Sequence, residues 1–255
     1  MNSKSGYLYR VMSLEQFIDM MFDGAHAKPF TMSNKIVRPW MWDDPYEKIL
    51  SLKSTLFHSE RWFGQCWSMS EENDSIWRNL SQNGNNRCVK IKVSINNLKK
   101  SLLSYNKDSA QFILAPVNYF SKETIDEFTS TSESLAKLAK TDKRYERMQL
   151  DSELIILLTK RPAFRPENEV RLLVYDKTET LETNIWKYPF DINSYVEEVM
   201  FDPWTKDYYQ DDYKELLGRM GLENVGKVTF SQLYKPLDEN ELRSSQIKEN
   251  KTNNI

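Results

Sequence analysis

The sequence predicts a mixed α+β fold, and three observations indicate this class. Alternating apolar and polar residues at 6–13, 61–70 and 87–94 are typical of strands with one buried face. Helical patterns follow at 74–80 and 206–221, and later strand patterns occur in "RLLVY", "YVEEVMFDP" and "GKVTFSQLY". The two kinds of element come in mixed order, which favours α+β.

The first helix carries its own start signal. Ser13 follows the first strand pattern and Gln16 stands three residues later, which is the spacing of a capping box. We expect this helix to begin after Ser13 and to end near Gly24. Residues 27–47 contain three prolines and many aromatic residues, so they are predicted to form an ordered loop with short strands.

The predicted domain organisation is one unit with an insertion and a tail. Residues 121–158 have helical propensity throughout, and we interpret them as a helical insertion. Residues 239–255 have almost no apolar side chains and are predicted to be a flexible tail. The sequence therefore predicts a single catalytic-type domain over 1–238.

Composition narrows the function classes. The formal net charge of −2 gives no global attraction to phosphate backbones or anionic membranes. Cys66, Cys88, His26 and His58 show no metal-ligand spacing, so no metal site is predicted. No apolar secretory segment or membrane span is visible, and seven glycines include no phosphate-cradling loop. We expect a cytoplasmic protein without a membrane partner.

One strand begins with two acids. In "RPENEVRLLVY" strand alternation puts Glu167, Glu169 and Arg171 on one side, opposite an apolar face. Neighbouring carboxylates repel each other unless water, Arg171 or a ligand compensates them. The pattern predicts either an ion-paired surface or a functional site.

Three short stretches together resemble a known family. They are "LYR" with Arg10, "CWSMS" with Ser68 and Ser70, and "ENE" with Glu167 and Glu169. This order is similar to the Arg–Ser–Glu arrangement of ADP-ribosyltransferases, which surrounds bound NAD. The resemblance implies a split antiparallel β-sheet core.

The resemblance also implies a role for each residue. Glu169 would be the catalytic carboxylate, Ser68 would brace it, and Ser70 would support that strand. Arg10 would contact the NAD phosphates. Tyr9, the residue before it, is also expected to bind the cofactor. Glu167 would orient or deprotonate the acceptor.

Chemistry gives a reason for these residue types. Cleavage of the nicotinamide–ribose bond passes through an oxocarbenium-like state, which a nearby carboxylate such as Glu169 stabilises. The planar guanidinium of Arg10 can bind phosphate oxygens in a bidentate manner that lysine cannot imitate.

A second resemblance covers more of the chain. The stretches "WDDPYE", "CWSMSEENDSIWRNL", "RCVKIKVS", "FRPENEVRLLVY" and "VEEVMFDP" look like an uncharacterised bacterial family found near phage-defence genes. Asp43 replaces its usual Asn and Ile76 its usual Met. This resemblance implies a setting in phage defence more than a reaction.

Each predicted site residue also has a structural interpretation. Glu167 and Glu169 could form a solvated edge-strand face with Arg171 as ion partner. "WMWDDPYE" could be an aromatic plug with an Asp-Pro turn, or a pocket wall in which Trp42 or Tyr46 stacks on a base and Glu47 holds a hydroxyl.

The preferred hypothesis is a mono-ADP-ribosyltransferase-like toxin or phage-defence effector with NAD as its substrate. The acceptor stays open between a protein side chain, a nucleic-acid base and water, and a toxin would need an antitoxin or a latent conformation. One alternative is a non-catalytic partner-binding module that uses the aromatic 40–46 surface. Another is a metal-dependent nuclease that uses Asp43, Asp44, Glu47, Glu167 and Glu169.

Overall fold

A computed structural model describes residues 6–22, 32–42, 44–48, 57–104, 110–178 and 183–236. His26, Asp43 and the predicted tail at 239–255 lie outside these residues. The strands are β1 (Tyr7–Ser13), β2 (Ser33–Val37), β3 (Trp62–Ser68), β4 (Cys88–Ser94), β5 (Ala110–Pro116), β6 (Asn118–Tyr119), β7 (Thr159–Lys160), β8 (Glu169–Asp176), β9 (Ile185–Pro189), β10 (Val196–Phe201) and β11 (Val228–Phe230). The helices are α1 (Leu14–Met21), α2 (Asp74–Ser81), α3 (Ile95–Ser104), α4 (Lys122–Thr141), α5 (Glu146–Leu157), α6 (Ile192–Tyr195) and α7 (Gln210–Arg219).

Nine of the strands form one mixed, mostly antiparallel sheet. Its main path runs β11-β10-β4-β1-β3-β2-β9, while β8 pairs with the other edge of β3 and β5 pairs with β8. The pair β10–β11 is parallel, as is the separate small sheet of β6 and β7. The predicted α+β class with an antiparallel sheet is therefore confirmed.

The sheet opens along one edge of β3. There β1 pairs through Tyr9 with Ser68, and β2 pairs through Val37 with Gly64. Because β1 and β2 take opposite ends of the same edge, residues 65–67 have no strand partner on that side among the described residues. This opening sets the position of the candidate site.

Strand alternation divides the apolar residues between two cores. All eight residues of β8 are buried. Leu172 and Val174 join a large cluster with residues of α1, α3 and α7, while Leu173 and Tyr175 face a second cluster under α4 and α5. Because β8 lies between β3 and β5, the interpretation of the Glu-x-Glu strand as a solvated edge is wrong.

Local sequence signals explain several element boundaries. The Ser13 hydroxyl accepts a hydrogen bond from the backbone N–H of Gln16, and the Gln16 side-chain oxygen accepts one from the backbone N–H of Ser13. The predicted capping box is therefore present. The helical stretch at 121–158 forms α4 and α5, which are separated where Asp142 caps a short 3₁₀ turn. In the described residues no helix has both the length and the apolar composition needed to cross a membrane.

A buried carboxylate ties α5 to β3. Glu153 is fully buried and accepts from the Trp62 indole at 2.8 Å and the Gln149 amide at 3.0 Å. It also accepts from the backbone N–H of His58 at 3.0 Å. Multiple donors offset the cost of burying a charge. The backbone of His58 therefore helps to hold this buried carboxylate in place.

Candidate functional site

A cavity of about 630 Å³ lies at the opening between β1 and β2. Its walls come from β1, β2, β3, α2, the start of β8, β7 and the short helical segments that follow β2 and β7. Seven of the residues predicted for the site line it, namely Tyr9, Arg10, Trp42, Glu47, Ser68, Glu167 and Glu169. Ser70 lies beyond the end of β3 and is not among the lining residues; its backbone N–H donates to the Ser68 hydroxyl at 3.0 Å.

Register brings three of these residues side by side. Tyr9 pairs with Ser68, and Ser68 pairs with Glu169 on its other side. Residues directly opposite each other point to the same face of a sheet, so these three side chains share one face. Arg10 follows Tyr9 and points to the opposite face, yet it lines the same cavity because the sheet is open beside it.

A polar network holds Arg10 in the opening. Asn34 Oδ1 accepts from Arg10 Nη1 at 3.0 Å and from Gln65 Nε2 at 2.7 Å, while Asn34 Nδ2 donates to the Tyr188 hydroxyl. Burial lowers the pKa of Arg10. Among the described residues no carboxylate lies within ion-pair distance of it. Arg10 therefore brings a positive charge to the cavity that no acidic side chain of the described chain neutralises.

Glu169, unlike Arg10, is paired with side chains of opposite charge. It is 3% exposed, and its carboxylate accepts from Arg171 Nε at 2.7 Å and from Lys160 Nζ at 2.9 Å. Its backbone N–H donates to the Tyr119 hydroxyl at 3.0 Å. The strands β6 and β7 pair with each other, so one small sheet delivers both Tyr119 and Lys160 to Glu169.

Lys160 compensates the charges of the two acids at the start of β8. Its Nζ donates to Glu167 Oε2 at 2.7 Å as well as to Glu169, and it lies 3.6 Å from Glu47 Oε1. Glu47 in turn pairs with Arg171. We call these five residues, Glu47, Lys160, Glu167, Glu169 and Arg171, the charged cluster. With all its carboxylates ionised, three negative charges face two positive ones, which leaves one negative charge in excess.

The charged cluster shifts the pKa values of its own members. Burial disfavours the ionised form of Glu169, but Arg171 and Lys160 outweigh burial and hold its pKa at about 2. Burial likewise opposes the charge of Lys160, yet Glu169, Glu47 and Glu167 raise its pKa above the ordinary value. For Glu47 burial dominates and raises the pKa. Glu169 is therefore a carboxylate, and Lys160 an ammonium, at neutral pH.

The predicted Glu-x-Glu strand needs one correction. β8 begins at Glu169, whereas Glu167 ends the 3₁₀ helix Pro162–Glu167 and Asn168 between them is left-handed, with φ of 46°. The Ser68 hydroxyl donates to the Glu167 carbonyl at 2.7 Å and so anchors this turn to β3. Arg171 is the ion partner that the sequence suggested, but the pair is buried, not solvated.

The aromatic segment around Trp42 packs tightly. The Arg171 guanidinium lies 4.4 Å from the centroid of the Trp42 ring, and a Cβ on Gly64 would come within 2.2 Å of that ring. Glu47 is paired with Arg171 of the charged cluster. Asp44 accepts from the Tyr46 N–H at 3.0 Å in the turn that contains Pro45. This geometry is that of a packed wall; Tyr46 is not among the cavity-lining residues and lies under Arg161.

The four acids of the nuclease hypothesis that the structure describes are already paired. Asp44 accepts from Arg161 at 2.9 Å, and the three glutamates accept from Lys160 and Arg171. Within the described ranges no group of three His, Cys, Asp or Glu is arranged to hold a metal ion.

Sequence reasoning missed Lys160, Asn34, Gln65 and Cys66. Asn34 and Gln65 carry no motif, since Asn34 bonds to Arg10, 24 residues away, and to Gln65, 31 residues away. Lys160 lies only seven and nine residues before Glu167 and Glu169, but these residues lie in separate elements, so no helix or strand period links them.

Cys66 had a usable signal, because it stands two residues before Ser68 and so shares its face. Its thiol hydrogen-bonds to Glu169, and Cys66 is exposed along the cavity. The partial exclusion of water by the surrounding protein, then Glu169, raises the pKa of Cys66 well above its ordinary value. The cavity therefore contains a protonated thiol beside the carboxylate.

Comparison with known proteins gives a partial match to one family model and no activity. Residues 76–172 match a family described as "Protein of unknown function (DUF2971)". The match covers less than half of the chain and fits the uncharacterised family expected from the sequence. No curated protein and no solved structure matches the chain significantly.

Proposed function

We propose that this protein cleaves the nicotinamide–ribose bond of NAD and transfers the ADP-ribose group, as a cytoplasmic ADP-ribosyltransferase-like toxin or phage-defence effector. The observation that carries the proposal is the charge distribution of one cavity. Arg10 has no carboxylate partner among the described residues, and it lines this cavity together with four members of the charged cluster, Glu47, Lys160, Glu167 and Glu169. With its three glutamates ionised, the charged cluster has one negative charge in excess.

NAD matches this distribution. Its oxidised nicotinamide ring is positively charged and its pyrophosphate is negatively charged, so one molecule presents both signs. The cluster is complementary to the ring and Arg10 to the pyrophosphate, which a guanidinium binds in a bidentate manner. The cavity of about 630 Å³ also lies within the range of small-molecule sites.

Glu169 is suited to the bond cleavage. As the C–N bond of the nicotinamide riboside breaks, its electron pair leaves with the ring nitrogen and positive charge develops on the ribose. A carboxylate with a pKa of about 2 is ionised at neutral pH and stabilises that charge. Arg171 and Lys160 fix its position, so little reorganisation is needed during the reaction.

In this proposal Ser68 and Tyr9 help to position the catalytic carboxylate. Ser68 holds the turn before Glu169 against β3, and Tyr9 lies in register with both. The opening of the sheet between β1 and β2 is consistent with the split sheet that the sequence resemblance implies. The order Arg, Ser, Glu on β1, β3 and β8 supports the same interpretation.

One observation favours the alternative of a non-catalytic binding module. Both carboxylate oxygens of Glu169 accept from cations, which weakens their attraction for a developing charge. A module of this kind binds its ligand without releasing nicotinamide, so the two candidates differ in one measurable product.

The test compares wild type with Glu169→Gln. Each purified protein is incubated with NAD, and released nicotinamide is measured by chromatography, with exposed Glu127→Gln on α4 as the matched control. We expect Glu169→Gln to lose about hundredfold or more in rate and the control to lose none. If wild type binds NAD in calorimetry but releases no nicotinamide, the binding module is correct and the enzymatic proposal is wrong.

A further inference from the structure

We propose that the acceptor of the ADP-ribose group is water, so that the protein is an NAD hydrolase instead of a transferase to a macromolecule. This inference rests on the proposed function and narrows it. Its basis is that Lys160 already occupies the position beside Glu167 where a cationic acceptor side chain would have to bind.

Lys160 takes the place of a cationic acceptor. Glu167, the carboxylate expected to orient an acceptor, pairs with Lys160 Nζ at 2.7 Å, and the same ammonium group binds Glu169 at 2.9 Å. The Lys160 side chain is 9% exposed. An arginine or lysine from another protein would have to displace this ammonium and leave it buried without its two glutamates, which is strongly unfavourable.

Neighbouring side chains fix Lys160 and Arg161 in the cavity wall. Phe164 lies under both Lys160, at 4.7 Å from its ring centroid, and Arg161, at 5.3 Å. Arg161 is held by buried Asp44 at 2.9 Å. These contacts hold a cation and a ring in the cavity wall. A neutral water molecule can reach Glu167, whose side chain is 22% exposed, without displacing either of them.

The step is balanced without a further reactant. The C–N bond breaks with its electron pair on nicotinamide, and the oxygen of water forms a bond to the anomeric carbon of the ribose. The water proton passes to Glu167, whose side chain is 22% exposed, and from there to solvent. NAD and water thus give ADP-ribose, nicotinamide and one proton.

The experiment counts products. The full chain is incubated with labelled NAD in ¹⁸O water, alone, with the guanidine compound agmatine, and with a bacterial protein and RNA extract. We expect one free ADP-ribose carrying ¹⁸O for each nicotinamide in all three mixtures, and no labelled agmatine or macromolecule.

Two variants test the part played by Lys160. Lys160→Met frees Glu167 for a guanidinium, so we expect the agmatine adduct to rise at least tenfold above the wild-type level. Lys160→Arg keeps a cation on both acids and should give no adduct. Circular dichroism establishes that each variant is folded, and the wild-type product count decides the question even if Lys160→Met does not fold.

The outcomes separate the two proposals. Label on agmatine, protein or RNA in amounts that match wild-type nicotinamide release overturns water as acceptor and leaves NAD cleavage intact. Absence of nicotinamide release from wild type overturns the proposed function, and hydrolysis falls with it.

Discussion

Glu169→Gln is expected to change the pH dependence of stability by a predictable amount. The cluster lowers the pKa of Glu169 from 4.5 to about 2, and the side chain is 3% exposed. Such a shift corresponds to about 3 kcal/mol of folding free energy at neutral pH. This contribution is present above pH 4.5 and is lost as the pH falls towards 2, because the unfolded chain takes up the proton first.

The measurement is urea unfolding followed by tryptophan fluorescence at pH 7, 5, 4 and 3. From the two pKa values, the advantage of wild type over Glu169→Gln should shrink by about 2 kcal/mol between pH 7 and pH 3. Glu127→Gln, at an exposed position, should show a difference from wild type that does not change with pH. A difference between wild type and Glu169→Gln that stays constant from pH 7 to pH 3 would refute the ion-paired carboxylate.

Three further substitutions test other parts of the structure. Gly64→Ala places a methyl group against the Trp42 ring, so we expect a loss of about 1–3 kcal/mol in urea unfolding and a changed near-ultraviolet dichroism; unchanged values would contradict the packed wall. Glu153→Gln weakens the contact between α5 and Trp62 and should cost about 1–3 kcal/mol, and a thermal midpoint equal to that of wild type would contradict it. Arg10→Gln removes the cavity guanidinium and should weaken NAD binding in calorimetry by about tenfold to hundredfold, whereas equal affinity would remove Arg10 from the proposed site.

Much of the local structure could be predicted because its causes are local. The capping box of α1 needs only Ser13 and Gln16, and alternation alone identifies β1, β3 and β4 as strands. The strand β5 and the helix α3 were not predicted from the sequence. Alternation is weak in "AQFILAP", so it gave no strand signal at β5.

The predicted site residues also came together unequally. Tyr9, Ser68 and Glu169 lie in register, as a shared cleft requires. Glu167 lies outside the strand that the pattern assigned to it, because left-handed Asn168 ends the 3₁₀ helix and starts a new direction. Such a backbone reversal has no periodic signature.

By itself the sequence determined the fold class, the helical stretch at 121–158, the existence of the recognised strands and the candidates Arg10, Ser68 and Glu169. Only the tertiary structure decided what surrounds them. Lys160 and Arg171 both form ion pairs with Glu47, which lies more than a hundred residues before each of them in the sequence. The physical reason is that strand and helix periodicity depends on neighbouring residues, whereas the charge on a buried carboxylate depends on whichever distant groups the fold places within a few ångströms.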